Sequence, residues 1–327
     1  MSVLVKSEPG VAFVFPGQGS QSLGMLASLA EKYALVKTLF DEVSAVLGYD
    51  LWALTQEGPL AQLNETEFTQ VALLTADVAV FRVLQQQGLT PMALAGHSLG
   101  EYAALVCADA LSLTDAAKLV QTRGRLMQQT VPLGQGAMAA VVGLTDEAVA
   151  DLCLSASTSN EVVSPANYNA IGQVVVAGDL HAVERLIIAA EQAEARLAKI
   201  IPVSVPCHCA LLKPAADLFE TALQAVTFKM PRWPVLSNVN AAPYESVESI
   251  RALLARQLYS PVRWVETTLA IKNTGVSLII ESGPGKVLAG LTKRIDKSFR
   301  TISVNDPLSV NEALEALYPE LNEKAYD

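Results

Sequence analysis

The sequence predicts an α/β protein in which a large domain on a parallel sheet carries a smaller inserted βαββαβ unit. Three observations predict it. Short apolar runs alternate with amphipathic helical stretches over most of the 327 residues. One of those runs ends in Gly-His-Ser-Leu-Gly at 96–100 and passes straight into a helical stretch. The rhythm then changes between about 137 and 205, where strands become more frequent, and reverts afterwards.

Taken in order, Val11–Phe15 reads as a buried strand ended by Pro16-Gly17-Gln18-Gly19-Ser20. Helical segments follow to residue 88, then the strand Met92–Ala95, the Gly-x-Ser-x-Gly turn and a helix over Leu99–Ala110. Ser112–Gln129 is a second helix, opened by the capping pair Ser112 and Asp115. In the inserted unit, Ala137–Leu144 is a strand and Thr145–Ser155 a helix with Thr145 as its N-cap. Val162–Ala166 and Gln173–Ala177 are strands joined by a turn through Asn167–Gly172. Asp179–Leu197 is a helix with an Asp cap, and Ile200–Val205 closes the unit as a strand. That order is ferredoxin-like. Strands resume at Val235–Asn238 and Val276–Glu281, the latter ending in the tight turn Ser282-Gly283-Pro284-Gly285. The expected division is a discontinuous, α/β-hydrolase-like domain over 1–131 and 206–327, with the ferredoxin-like subdomain over 132–205.

Composition narrows the classes of function. Hydrophobic residues make up 51% of the chain and charged residues 17%, which suits a well-buried enzyme and argues against disorder. The formal net charge of −10 argues against nucleic acid as a partner, so an acidic partner would need a local basic patch. No long apolar run free of charges or breakers marks a membrane span, and the first ten residues lack the apolar core of a signal peptide. The cysteines 107, 153, 207 and 209 show no disulfide spacing, so a reducing cytoplasm is the expected compartment. No long heptad pattern appears, and a monomer is expected.

The 96–100 turn carries the chemistry. Gly96 and Gly100 lack Cβ atoms, so the chain can turn sharply enough to put the Ser98 hydroxyl at its tip. The helix that follows directs its first N–H groups, Leu99 among them, toward the same spot, where an oxyanion would find donors. A serine hydroxyl needs a base, and the chain has three histidines. His97 adjoins the nucleophile on a tight turn, where neighbouring side chains diverge. His181 falls in the exposed first turn of the inserted unit's second helix. His208, in Val205-Pro206-Cys207-His208-Cys209-Ala210, remains as the base. Cys207-His208-Cys209 is too few ligands for zinc, because Cys107 and Cys153 lie on separate apolar helices; no metal or cofactor is expected.

On a helical wheel Arg123 sits amid Leu113, Ala116, Leu119, Val120, Leu126 and Met127, whereas Arg125 lies opposite with Lys118 and Gln121. A guanidinium pointing inward must meet an anion. The wheel leaves two candidates, a structural Asp or Glu and a substrate carboxylate held in the planar fork.

Seven motifs occur in order: Phe15-Pro16-Gly17-Gln18-Gly19-Ser20-Gln21, the 96–100 turn, Arg123-Gly124-x-x-Met127, Asn167–Asn169, Val205-Pro206-x-His208-Cys209-Ala210, Gln257-Leu258-Tyr259-x-Pro261-Val262 and Glu281-x-Gly283-Pro284-Gly285. Together, over about residues 11–300, they resemble the malonyl-CoA:acyl carrier protein transacylase family of type II fatty acid synthesis. The resemblance implies that Ser98 is acylated by malonyl-CoA and that His208 is the general base and then the acid. It implies that the backbone carbonyl of Gln257, not an acidic side chain, orients that histidine. Gln18 and the Leu99 N–H would form the oxyanion hole, and Arg123 would grip the malonyl carboxylate. Asn167 and Asn169 would line the cleft between the domains, and His97 would support the nucleophile. The acyl group would then pass to the phosphopantetheine thiol of acyl carrier protein in a ping-pong cycle. One departure is visible: the residue before the histidine is often Ser in the family and is Cys207 here, which places an alkylatable thiol beside the base. Lys286, Lys293, Arg294, Lys297 and Arg300 cluster near the C-terminus, as a dock for the acidic carrier or as an ordinary solvated helix face. A discrete acyltransferase of a polyketide pathway, a serine acyl hydrolase and a catalytically silent relative are the rival readings. The last is disfavoured by the joint presence of Ser98, His208, Gln18 and Arg123.

Overall fold

The structure, a computed structural model, describes residues 10–203 and 205–318. The ends of the span expected for the large domain, 1–9 and 319–327, lie outside the described residues, as does residue 204.

Among the described residues nine strands form two sheets. In chain order they are β1 (Gly10–Phe15), β2 (Ala93–Gly96), β3 (Gly136–Val142), β4 (Val163–Ala170), β5 (Gln173–Asp179), β6 (Leu197–Ile200), β7 (Val235–Leu236), β8 (Val276–Ser282) and β9 (Arg300–Val304). The parallel sheet runs β7-β2-β1-β8-β9. Its central strand β1 is apolar on both faces because helices cover both sides. Phe13 packs edge-on against Phe81 at 5.0 Å, on the helix Thr66–Gln86, which is buried along most of its length. A Phe side chain buried this completely contributes about 1.5–3 kcal/mol.

The antiparallel sheet runs β4-β5-β3-β6, with the helices Asp146–Ala156 and Leu180–Gln192 packed on one face. This is the ferredoxin-like order that the sequence predicts. Thr145 caps its helix as expected, accepting from the Ala148 N–H.

Four details depart from the sequence reading. Asn167–Ala170 belongs to β4 rather than to a turn, because the strand also bonds outside its own sheet: Tyr168 N–H donates to the Val262 carbonyl and Val262 N–H to the Ala166 carbonyl. The helix expected to run to Leu197 stops at Gln192, and Glu194 turns the chain in a left-handed conformation. The closing strand is therefore Leu197–Ile200 rather than 200–205, its backbone paired with β3 although Leu197 and Ile200 are exposed. Strand β9 went unread in the sequence; its charged start, Arg300, masks an alternation that buries Ile302 and Val304.

All five parallel strands point the same way, so their C-terminal ends gather on one edge. That edge is where open α/β sheets bind ligands. Phe15 of β1 pairs with Gly96 of β2, so the loops carrying Gln18 and Ser98 leave side by side.

Candidate active site

Sequence and backbone sterics build the elbow. A Cβ on Gly96 would lie 1.8 Å from the Gly100 carbonyl carbon, and one on Gly100 would lie 2.1 Å from the Phe15 carbonyl oxygen. No side chain fits at either position. Between them Ser98 holds φ at 53°, a left-handed conformation that costs a non-glycine residue about 1–3 kcal/mol. Asn238, just beyond β7, clasps the turn: its Oδ1 accepts from the Ser98 N–H at 2.7 Å and its Nδ2 donates to the Gly96 carbonyl at 2.6 Å. The sequence reading missed Asn238 because it sat inside an expected strand; its amide, between two buried apolar stretches, was the available signal.

His208 comes from the far side of the chain, in a turn before the short 3-10 helix Ala210–Leu212. It too has a left-handed backbone, φ 61°, and its N–H is held by the Leu258 carbonyl at 3.1 Å. Its Nδ1 lies 2.7 Å from the Gln257 carbonyl oxygen. A carbonyl only accepts, so Nδ1 carries the proton and Nε2 presents a lone pair. The Ser98 hydroxyl lies 2.7 Å from that Nε2. The arrangement is the one that a hydroxyl nucleophile and a base oriented by a third group require.

Burial lowers the His208 pKa to about 3, helped by the positive charge of Arg123 and opposed by the Gln257 carbonyl. The base form is therefore complete at neutral pH and is lost only as the pH falls toward 3. Ser98 acylation should hold its rate from about pH 8 down to about pH 5, rather than halving near the ordinary histidine value. A pH–rate profile of the acylation step checks this, and a midpoint near 6.5 would contradict it.

Arg123 is 1% exposed, as its place on the wheel requires, whereas Arg125 is exposed. Its Nη2 donates to Gln257 Oε1 at 2.9 Å and to Ser98 Oγ at 3.3 Å, and the guanidinium lies over the Tyr102 ring at 5.5 Å. Its Nε is buried without a partner, and no carboxylate pairs with it among the described residues. Of the two anions that the wheel left open, the structural acid is absent among the described residues.

A cavity of about 490 Å3 opens over Ser98, His208 and Arg123. Gln18, Gly19, Leu99, His97, Asn167 and Cys207 line it. Met138 and Ile201–Val203 do so from the antiparallel-sheet region. Two expected site residues stand behind its wall instead. Gln257 is fully buried and reaches the site through Arg123 and His208. Asn169 accepts at Oδ1 from the His97 ring at 2.8 Å, which ties the elbow to β4.

Gln70, unremarked in the sequence, also lines the cavity; its Nε2 donates to Met127 Sδ while its Oε1, buried, has no partner. A lone amide immediately before the apolar run Val71–Leu74 was the signal. Cys207 donates its thiol to the Val205 carbonyl, and burial pushes its pKa up to about 11, so it is a protonated, slow thiol rather than a reactive one. His181 is exposed and paired with Glu184, and Cys107 and Cys153 are buried in separate places, as expected. No cluster among the described residues has the ligands for a metal.

The profile of the acyl transferase domain family matches residues 12–317. The malonyl CoA-acyl carrier protein transacylase of Escherichia coli K12 is 52% identical over 305 residues, which cover 93% of this chain and 98% of the relative. The chain belongs to the malonyl-CoA:acyl carrier protein transacylase family. An acyl carrier protein S-malonyltransferase from Vibrio cholerae superposes with a TM-score of 0.91 at 55% identity, covering 93% of this chain and 99% of that one. A malonyl-transacylase solved in complex with its type II PKS acyl-carrier protein superposes with a TM-score of 0.92 at 50% identity, covering 95% and 99%.

Proposed function

We propose that the chain moves malonyl from malonyl-CoA to the phosphopantetheine thiol of an acyl carrier protein through an acyl-Ser98 intermediate. The observation that carries this reading is Arg123: a buried cation, 3.3 Å from the nucleophile, with no carboxylate paired to it among the described residues. A diacid acyl group supplies that carboxylate; an acetyl group does not.

Ser98 Oγ attacks the thioester carbonyl as its proton moves to His208 Nε2. The oxyanion is received by the N–H groups of Leu99 and Gln18, at the head of the helix Gly100–Cys107 and in the loop after β1. The C–S bond breaks and the proton on His208 passes to the departing CoA thiolate. In the second half the carrier thiol gives its proton to His208 and attacks acyl-Ser98, and Ser98 recovers the proton as it leaves. Asn167 lines the acyl and pantetheine path, and His97, held by Asn169, stiffens the elbow. The test is intact mass after brief mixing with malonyl-CoA or acetyl-CoA, followed by chase with holo carrier protein. Release of free malonate outpacing transfer would instead support the hydrolase.

The carrier belongs to fatty acid synthesis on this reading. The type II PKS complex of a relative favours a polyketide carrier as the second reading, and rates with carrier proteins of both kinds separate them. No helix among the described residues is long and apolar enough to cross a membrane, and four free cysteines suit the reducing cytoplasm where either pathway would run.

Lys286, Lys293 and Arg294 are exposed on and just before the helix Val287–Ile295, with Gly285 packed near Ser20 of the oxyanion loop. They form the proposed dock for the acidic carrier. Reversing Lys293 and Arg294 to Glu should raise the carrier KM by about tenfold and flatten its salt dependence, while malonylation of Ser98 is unchanged. An unmoved carrier KM would assign the patch to solvent.

A further inference from the structure

Glu101 opens the helix after the elbow and is fully buried. Its Oε2 accepts from Gln257 Nε2 at 2.6 Å and from the Asn238 N–H at 3.2 Å, and its Oε1 accepts from the Tyr244 hydroxyl. The other Gln257 amide proton goes to the Ser98 carbonyl at 2.9 Å. A carboxylate offers acceptors only, so the amide of Gln257 must turn its NH2 toward Glu101 and its Oε1 toward Arg123. The backbone carbonyl of the same residue holds His208.

We infer that Glu101 is a positioning residue of the transacylation: by fixing the orientation of the Gln257 amide it anchors Arg123 beside Ser98 for the acyl carboxylate. This rests on the reading of Arg123 as the carboxylate clamp. A flipped Gln257 would set an NH2 against the guanidinium, two donors face to face, and Arg123 would lose its anchor. Burial raises the Glu101 pKa to about 7, opposed by its hydrogen bonds. Protonation leaves the orientation intact, because the added proton sits on Oε1 and is donated to the Tyr244 oxygen while Oε2 still accepts. The acceptor, rather than the charge, is what the site uses.

The test is brief labelling of Ser98 by malonyl-CoA and acetyl-CoA in parallel, normalised to folded protein. Loss of the Gln257 anchor disturbs His208 for both acyl groups, so the ratio of the two isolates Arg123. Glu101→Met, similar in volume but without an acceptor, should lower the malonyl-to-acetyl ratio by about 10²-fold. Glu101→Gln, which can keep an oxygen toward Gln257 and its NH2 toward the Tyr244 oxygen, should restore it. Glu101→Asp withdraws the acceptor by one methylene and should lower the ratio by about fivefold; it decides the matter should Glu101→Met fail to fold. An unchanged ratio in both Glu101→Met and Glu101→Asp, or a loss in Glu101→Gln as large as in Glu101→Met, overturns the inference. Arg123→Ala is run beside them. A ratio kept by Arg123→Ala removes the clamp itself, whereas a ratio lost there but kept in Glu101→Met removes only the role of Glu101.

Discussion

Ser98→Ala should take up no malonyl from malonyl-CoA and should lose transfer to the carrier by about 10⁴-fold or more. The expectation follows from the geometry around the base. His208 Nε2 has one nucleophile at hydrogen-bond distance, the Ser98 hydroxyl at 2.7 Å. The neighbouring candidate, Cys207, donates its proton to the Val205 carbonyl and has a pKa pushed up to about 11 by burial, so it supplies almost no thiolate at neutral pH. Removing the hydroxyl also leaves the folded frame in place, because the turn is held by the Ser98 backbone, through Asn238, and not by its side chain. Intact mass with peptide mapping reads the result. A malonyl adduct on Ser98→Ala, mapped to Cys207 or elsewhere, would move the nucleophile off the elbow.

Arg123→Ala should separate malonyl from acetyl. Truncating one partner of a buried charge pair typically costs about 2–5 kcal/mol, so malonyl labelling should fall by about 10²–10³-fold. Acetyl labelling, which makes no use of the cation, should change little. A second readout comes from electrostatics. Arg123 is one of the causes that lower the His208 pKa, after burial itself. Without that charge the imidazolium is less disfavoured, so the acid limb of the pH–rate profile should move to higher pH. Arg123→Lys should not rescue fully, since a single ammonium cannot keep the contacts that Nη2 makes to Gln257 and Ser98 and also offer a planar fork to a carboxylate. Equal loss of malonyl and acetyl labelling in Arg123→Ala, with an unmoved acid limb, would make the arginine a packing residue.

Much of this was legible in the chain alone. The Gly-x-Ser-x-Gly turn between a strand and a helix determines the elbow, because the steric demand of the turn is local and falls on Gly96 and Gly100. The wheel position of Arg123 determines its burial, because helical periodicity is local too. The count of three histidines left His208 by elimination.

Tertiary structure decided the rest. The partners of Arg123 lie on two segments far apart in sequence, and that no carboxylate is among them became visible only once Ser98 and Tyr102 were brought together with Gln257. Asn238 and Glu101 carry no motif of their own; their roles come from bonds spanning more than 130 residues of sequence. The stretch Ala193–Leu197 reads as helix because Ala, Glu, Arg and Leu favour one, and the left-handed turn at Glu194 with the pairing of Leu197 to β3 overrides that preference. Local sterics and periodicity are written in neighbouring residues. Long-range pairing, and the absence of a partner for a buried charge, belong to the folded chain as a whole.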